Sequence, residues 1–218
     1  MNVSCEFRYS WTKRLSGICL SLAMLTLSSN ASSQPEIDEE WPCIQRLVME
    51  VSPAIMWPVP IDESMENGWR DDREVRRLAE ELGGRKEEVT DDVLARIGEF
   101  AESIAVEDRE RRLSALATGI VEVTNRQRKK FISGIKRYTR QQIDISGQIN
   151  DTLNQLSMIE SGELDKDQSD QQEIEETLRW HERVYDQRER VIISLCEEPV
   201  ELEQNLSAIL REMAQYLP

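Results

Sequence analysis

Two stripes of side chains constrain this sequence more than any other feature. The first runs Phe131, Ile135, Tyr138, Gln142, Ile145, Ile149, Thr152, Leu156 and Ile159; the second runs Ile174, Leu178, His181, Tyr185, Arg188, Ile192 and Leu195. In both, the steps alternate between four and three residues, the spacing that holds one face of an α-helix against a neighbouring helix. Only a polar turn, residues 161–169 (SGELDKDQS), lies between them. Helices joined by so short a connection pack antiparallel. A turn centred near Asp165 makes facing residue numbers sum to about 330, because both helices rise equally per residue. Leu156 then faces Ile174, Ile149 faces His181, Ile145 faces Tyr185, Tyr138 faces Ile192 and Ile135 faces Leu195. Gln142 falls opposite Arg188, so the polar interruption of one stripe meets that of the other. The expected fold is all-α: a long antiparallel helical hairpin over residues 113–196, with additional shorter helices and an extended N-terminal arm.

The shorter helices have clear boundaries. Val75, Leu78, Ala79 and Leu82 share one helical face, with Asp71 or Asp72 as cap and Gly83-Gly84 as stop. Thr90 opens another helix, with Val93, Ile97, Phe100 and Ile104 on one side. Residues 107–112 (EDRERR) contain nothing apolar and predict a bend or an exposed turn of helix. Pro199 is expected to end the second hairpin helix. A last amphipathic helix then carries Leu202, Leu206, Ile209, Met213 and Leu217. Helices of about 40–70 Å make the molecule elongated unless Gly119, Gly134 or Gly147 kinks one of them.

Residues 34–70 are different. Pro35, Pro42, Pro53, Pro58 and Pro60 punctuate them, leaving room for no more than a helical turn. Yet Ile44, Leu47, Val48, Val51, Ile55 and Met56 make the segment too apolar for a disordered linker. It reads as an extended arm packed on the helical domain of residues 71–218, with Trp41, Trp57 and Trp69 as anchors.

Residues 1–33 have the pattern of a secretory signal peptide. Lys13 and Arg14 precede an apolar run over residues 15–27, and Ala31, Ser32 and Ser33 offer small residues for cleavage. The run is shorter than the roughly 20 residues of a membrane span, and no later segment could cross a bilayer. Cleavage near Gln34 leaves one domain's length of chain, with 24 basic residues against 41 acidic ones. Such an acidic surface argues against nucleic-acid binding and favours a monomer or weak dimer. Of four cysteines, Cys5 and Cys19 leave with the signal. Cys43 and Cys196 remain, and in an oxidising compartment, periplasmic or secreted, they most simply form one bridge. The hairpin register puts Cys196 beside Ile135 and Phe131, so the Trp41-Pro42-Cys43 segment should dock there. Chain entropy assigns about 5 kcal/mol to closing so long a loop, as an upper figure.

Motifs for catalysis are sparse. His181 is the only histidine, which excludes a two-histidine metal site, and its place on the seam fits packing. No cysteine cluster suits zinc, and no phosphate loop or serine elbow occurs. Acidic runs at residues 160–170 and 197–203 lack calcium-loop spacing and read as solvated turns. The Asn150 and Asn205 glycosylation patterns matter only in a host that glycosylates secreted chains. One basic stripe stands against the overall charge: Arg126, Arg128, Lys129, Lys130, Lys136, Arg137 and Arg140. It would either bind an anionic partner or pair internally, with Glu197, Glu198, Glu201 and Glu203 opposite. The expectation is a non-enzymatic helical scaffold or protein-interaction protein of the cell envelope, needing no cofactor or metal. The alternative is a binding module for an anionic envelope ligand through residues 126–140.

Overall fold

The computed structural model describes residues 38–218; the proposed signal peptide, with Cys5 and Cys19, lies outside them. Those residues form six helices: α1 (Pro53–Met56), α2 (Glu63–Gly68), α3 (Arg73–Leu82), α4 (Asp91–Ser103), α5 (Val106–Glu160) and α6 (Gln168–Ala214). The fold is all-α.

Local chemistry sets the helix ends. Asp72 caps α3, its carboxylate accepting from the backbone N–H groups of Glu74 and Val75. Gly83 closes α3, its N–H donating to the Ala79 carbonyl at 2.9 Å. Thr90 occupies the cap position of α4 without a side-chain bond. In the hairpin turn Gly162 adopts φ +74°, which a side chain would strain. This lets Glu163 and Leu164 return their N–H groups to the Met158 carbonyl at 2.9 Å each. Asp167 then caps α6 by accepting from Asp170 N–H.

The core sits at one end of the hairpin. Val75, Leu78 and Leu82 of α3, and Ile97 and Phe100 of α4, pack with Leu113, Leu116 and Ile120 of α5 and Leu206, Ile209 and Met213 of α6. Each such side chain contributes about 1.5–3 kcal/mol by leaving water. Trp57 and Trp69 are buried in this head, whereas Trp41 is only half-buried. Beyond the head, α5 and α6 continue as a pair within one chain. Gln142 Nε2 donates to the Tyr185 carbonyl at 3.0 Å, and Arg188 Nε donates to Gln142 Oε1 at 3.3 Å. Arg188 Nη2 also reaches the Tyr138 carbonyl and Gln141 Oε1. The polar layer therefore sets the register expected from the sequence.

Three details differ from the sequence reading. First, Pro199 does not end the helix: α6 runs through it to Ala214. The ring costs about 3 kcal/mol in a helix interior. The following turns offset this by burying Leu202, Leu206, Ile209, Leu210 and Met213 in the head. Second, of the two forms expected for residues 107–112 the helical one is adopted, but not as a fully exposed turn, since Asp108, Arg109 and Arg112 are half-buried. The segment forms the first turns of α5, and Arg112 bonds Asp72 at 2.9 Å and Glu74 at 3.0 Å. The chain turns just before them, at Ile104 and Ala105. Third, Phe131 and Tyr138 are half-buried rather than core. Ile132 and Thr139 take the buried positions, the drift expected of a helix with 3.6 residues per turn. Lys86 lies over the Phe131 ring and Arg188 over the Tyr138 ring, at 5.3 and 3.9 Å from the centroids.

Gly119 has a packing role. A Cβ there would lie 2.8 Å from Ala79 Cβ and 2.9 Å from the Trp69 ring. Gly119→Val should destabilise the protein by about 1–3 kcal/mol in urea titration. Gly134 meets nothing within 4 Å, so Gly134→Ala should instead stabilise it by up to about 1 kcal/mol.

Candidate functional site

The arm is not extended throughout, since α1 and α2 lie in it, but residues 38–52 run along α5 and α6 without helix and with no neighbouring strand to satisfy their backbone. Helix side chains do so instead. Asn125 of α5 accepts from Val51 N–H at 3.0 Å and donates to the Val51 carbonyl at 2.9 Å, copying a strand neighbour with one amide. Arg128 donates to the Val48 carbonyl through Nε at 2.9 Å and Nη2 at 2.6 Å. Trp57 Nε1 donates to Ser114 Oγ at 2.9 Å, fixing the far end of the arm in the head.

The near end is covalent. Cys43 and Cys196 form a disulfide with Cα atoms 5.5 Å apart, closing a separation of 153 residues. Beside it, Gln45 Nε2 donates to the Cys196 carbonyl at 2.6 Å, and Trp41 Nε1 donates back to the Gln45 carbonyl at 2.7 Å. Pro199 deprives the Leu195 carbonyl of its helical donor, and the Gln45 bond goes to the next carbonyl, that of Cys196.

The basic stripe is largely consumed by this attachment. Arg128 is buried and pairs with Glu203 of α6. Burial pushes its guanidinium below the ordinary arginine range. Lys129 pairs with Glu50, Lys136 with Asp38, and Arg140 with Glu40 at 2.7 Å. Glu198, one of the acids expected opposite, pairs with Lys86 at 2.7 Å. Arg126, Lys130 and Arg137 are exposed and enter no ion pair among the described residues. The arm acids were the partners that sequence reasoning missed. The signal was present in the acidic run at residues 38–40, which the docking of Cys43 carries toward the stripe.

The other candidates are dispersed. His181 is half-buried on the hairpin, its Nδ1 enclosed without a protein partner and its ring 5.0 Å from that of Trp180. Among the described residues no group of three or more His, Cys, Asp or Glu could hold a metal ion. No helix among them is long and apolar enough to cross a membrane. Asn205 Nδ2 donates to the Arg85 and Glu87 carbonyls at 3.1 and 3.2 Å, so that glycosylation pattern is used internally. Compared with protein-family models, curated proteins and solved structures, the chain matches none.

Two outcomes follow for the attachment. The double substitution Cys43→Ser and Cys196→Ser should lower stability by about 2–5 kcal/mol in guanidinium titration, with the helical circular dichroism retained. The Lys136 hydrogen bond holds the Asp38 carboxyl below its usual range, against a smaller opposing effect of burial, with the Glu40 N–H assisting. A depressed folded value means that the contact stabilises fully above about pH 3.9 and is lost as pH falls through the folded value. Carboxyl NMR titration should show Asp38 moving back toward the ordinary range in Lys136→Gln.

Proposed function

We propose that this protein is a non-enzymatic helical scaffold that holds a protein partner in an oxidising compartment, periplasmic or secreted. One observation carries the reading: α5 and α6 project past the head core as a lone pair that keeps large apolar side chains in water. Leu153, Met158 and Trp180 are all exposed on this pair, well removed in sequence from the head. A helix pair without further layers leaves most of its surface available for contact, and exposed apolar side chains on rigid elements favour protein association. The disulfide supports the compartment, because such bridges persist where thiols are not kept reduced. The leader-like sequence of residues 1–33 points the same way. The anionic-ligand alternative has less support, since four of the seven stripe cations already serve the arm and Glu203.

Photo-crosslinking in the native envelope tests the reading. A benzophenone side chain at Leu153 or Trp180 should give one discrete protein adduct. The same group at the exposed head positions Arg77 or Glu99 should give none. Equal labelling at all four positions, or none at any, would remove the scaffold reading.

A further inference from the structure

Where the arm crosses the hairpin, the structure leaves an apolar groove. One hollow of about 470 Å³ lies against the disulfide, between Ile44 and Val200; a second of about 710 Å³ continues toward Ile143 and Gly147. Pro42, Ile192 and Ile193 line both, so the two adjoin. Along α6 the lining extends from Tyr185 to Gln204, about 28 Å of helix. Three isoleucines on it face water: Ile44 fully, Ile193 at 62% and Ile143 at 49%. Single exposed apolar residues are ordinary. Three around one concave surface are not, and Ile44 sits on an arm segment fixed by the neighbouring bridge and by Gln45.

The edge of the groove is acidic. Glu189, Glu197 and Glu201 lie with Ile193 on a single row of α6, four or eight residues apart. None of the three enters an ion pair among the described residues. Arg190 is the single cation lining the groove.

We propose that this groove docks an amphipathic cationic helix of a partner protein, apolar face down and basic residues against the acidic row. The proposal rests on the scaffold reading and names its docking surface. A helix of roughly five turns matches the length, and apolar anchors at helical spacing are how such grooves are filled. The disulfide pre-organises the Ile44 wall, so binding does not have to order it. The acidic row and the negative net charge steer a basic partner and set its orientation. A second copy of this chain is a poor occupant, because four of the seven cations of its basic stripe are already paired within the chain, three with its arm and one with Glu203.

The test uses the oxidised protein and a fluorescein-labelled helix of about 18 residues, roughly five turns, with leucine on one face and lysine on the other. Anisotropy should report saturable binding. Ile44→Ser with Ile193→Ser should weaken it by about tenfold or more, at unchanged melting temperature because both side chains are exposed. Glu197→Gln with Glu201→Gln should weaken it several-fold and flatten its salt dependence. Glu163→Gln with Asp165→Asn, the same charge change at the hairpin turn, should leave it unaltered. No saturable binding, equal weakening by the turn variant, or indifference to the isoleucines overturns the proposal. So does a dimer in sedimentation that Ile44→Ser dissociates, which would give the groove to a second copy. Crosslinks at Leu153 and Trp180 that persist after such a failure would sink the groove alone and leave the scaffold reading standing.

Discussion

An extended segment with no sheet to join must find other partners for its backbone, and the buried guanidinium of Arg128 is the centre of the solution. Burying a charge costs several kcal/mol unless it is paired and hydrogen-bonded. Arg128 is both: two donors go to the Val48 carbonyl, and Glu203 supplies the opposite charge. One side chain thereby joins the arm, α5 and α6. Removing Glu203 would leave a buried cation without its counter-charge, whereas Glu203 itself is partly exposed and would be solvated without Arg128.

Most of the arm is held by α5, and the contacts made by α6 fall within two of its turns. Cys196 carries the bridge, its carbonyl accepts from Gln45, Glu198 pairs with Lys86 and Glu203 with Arg128. Pro199 lies in their midst and is itself buried. In an isolated helix it would be a fault, leaving a carbonyl without its donor and tilting the turn before it. Here the burial of the turns beyond it carries the helix past that fault. A single helix can therefore serve first as half of the hairpin and then as part of the head, and the proline falls where the two roles meet.

Much of this was legible in the residues. Alternating four-three steps gave both hairpin helices, and the pairing of Gln142 with Arg188 gave their register, because a polar residue on an apolar seam has few acceptable neighbours. The register in turn brought Cys196 to the arm. What escaped was whatever depends on competition between distant parts. Pro199 reads as a stop because local propensity says so; only the burial of the turns beyond it overrides that. The basic stripe could be read as a docking surface or as internally paired; the acids expected opposite it lie on α6, where only Glu203 serves, whereas three others lie about 80–100 positions earlier, on the arm. The groove could not be read at all. Ile44, Ile143 and Ile193 belong to no common periodicity, and Ile44 comes beside Ile193 only once the bridge has placed the arm.

Burial falls off along the hairpin, which bears on how it must work. In the head Leu113, Leu116 and Ile120 are inaccessible, whereas on the hairpin Ile145, Ile149, Leu156, Ile174 and Leu178 keep partial exposure. Two helices can cover only one side of each other, so the seam contributes less per residue than the head core. Register is correspondingly open to error, since a slip of one heptad would preserve most apolar pairs. The polar layer opposes it: after such a slip Arg188 would face Ile135 or Ile149 rather than Gln142, leaving a cation without its acceptors. The bridge to Cys43 and the turn at Gly162 exclude the same error from the two ends. Specification has been built into the hairpin by polar contacts rather than by burial. That leaves its apolar side chains free to meet another surface without loss of the alignment that presents them.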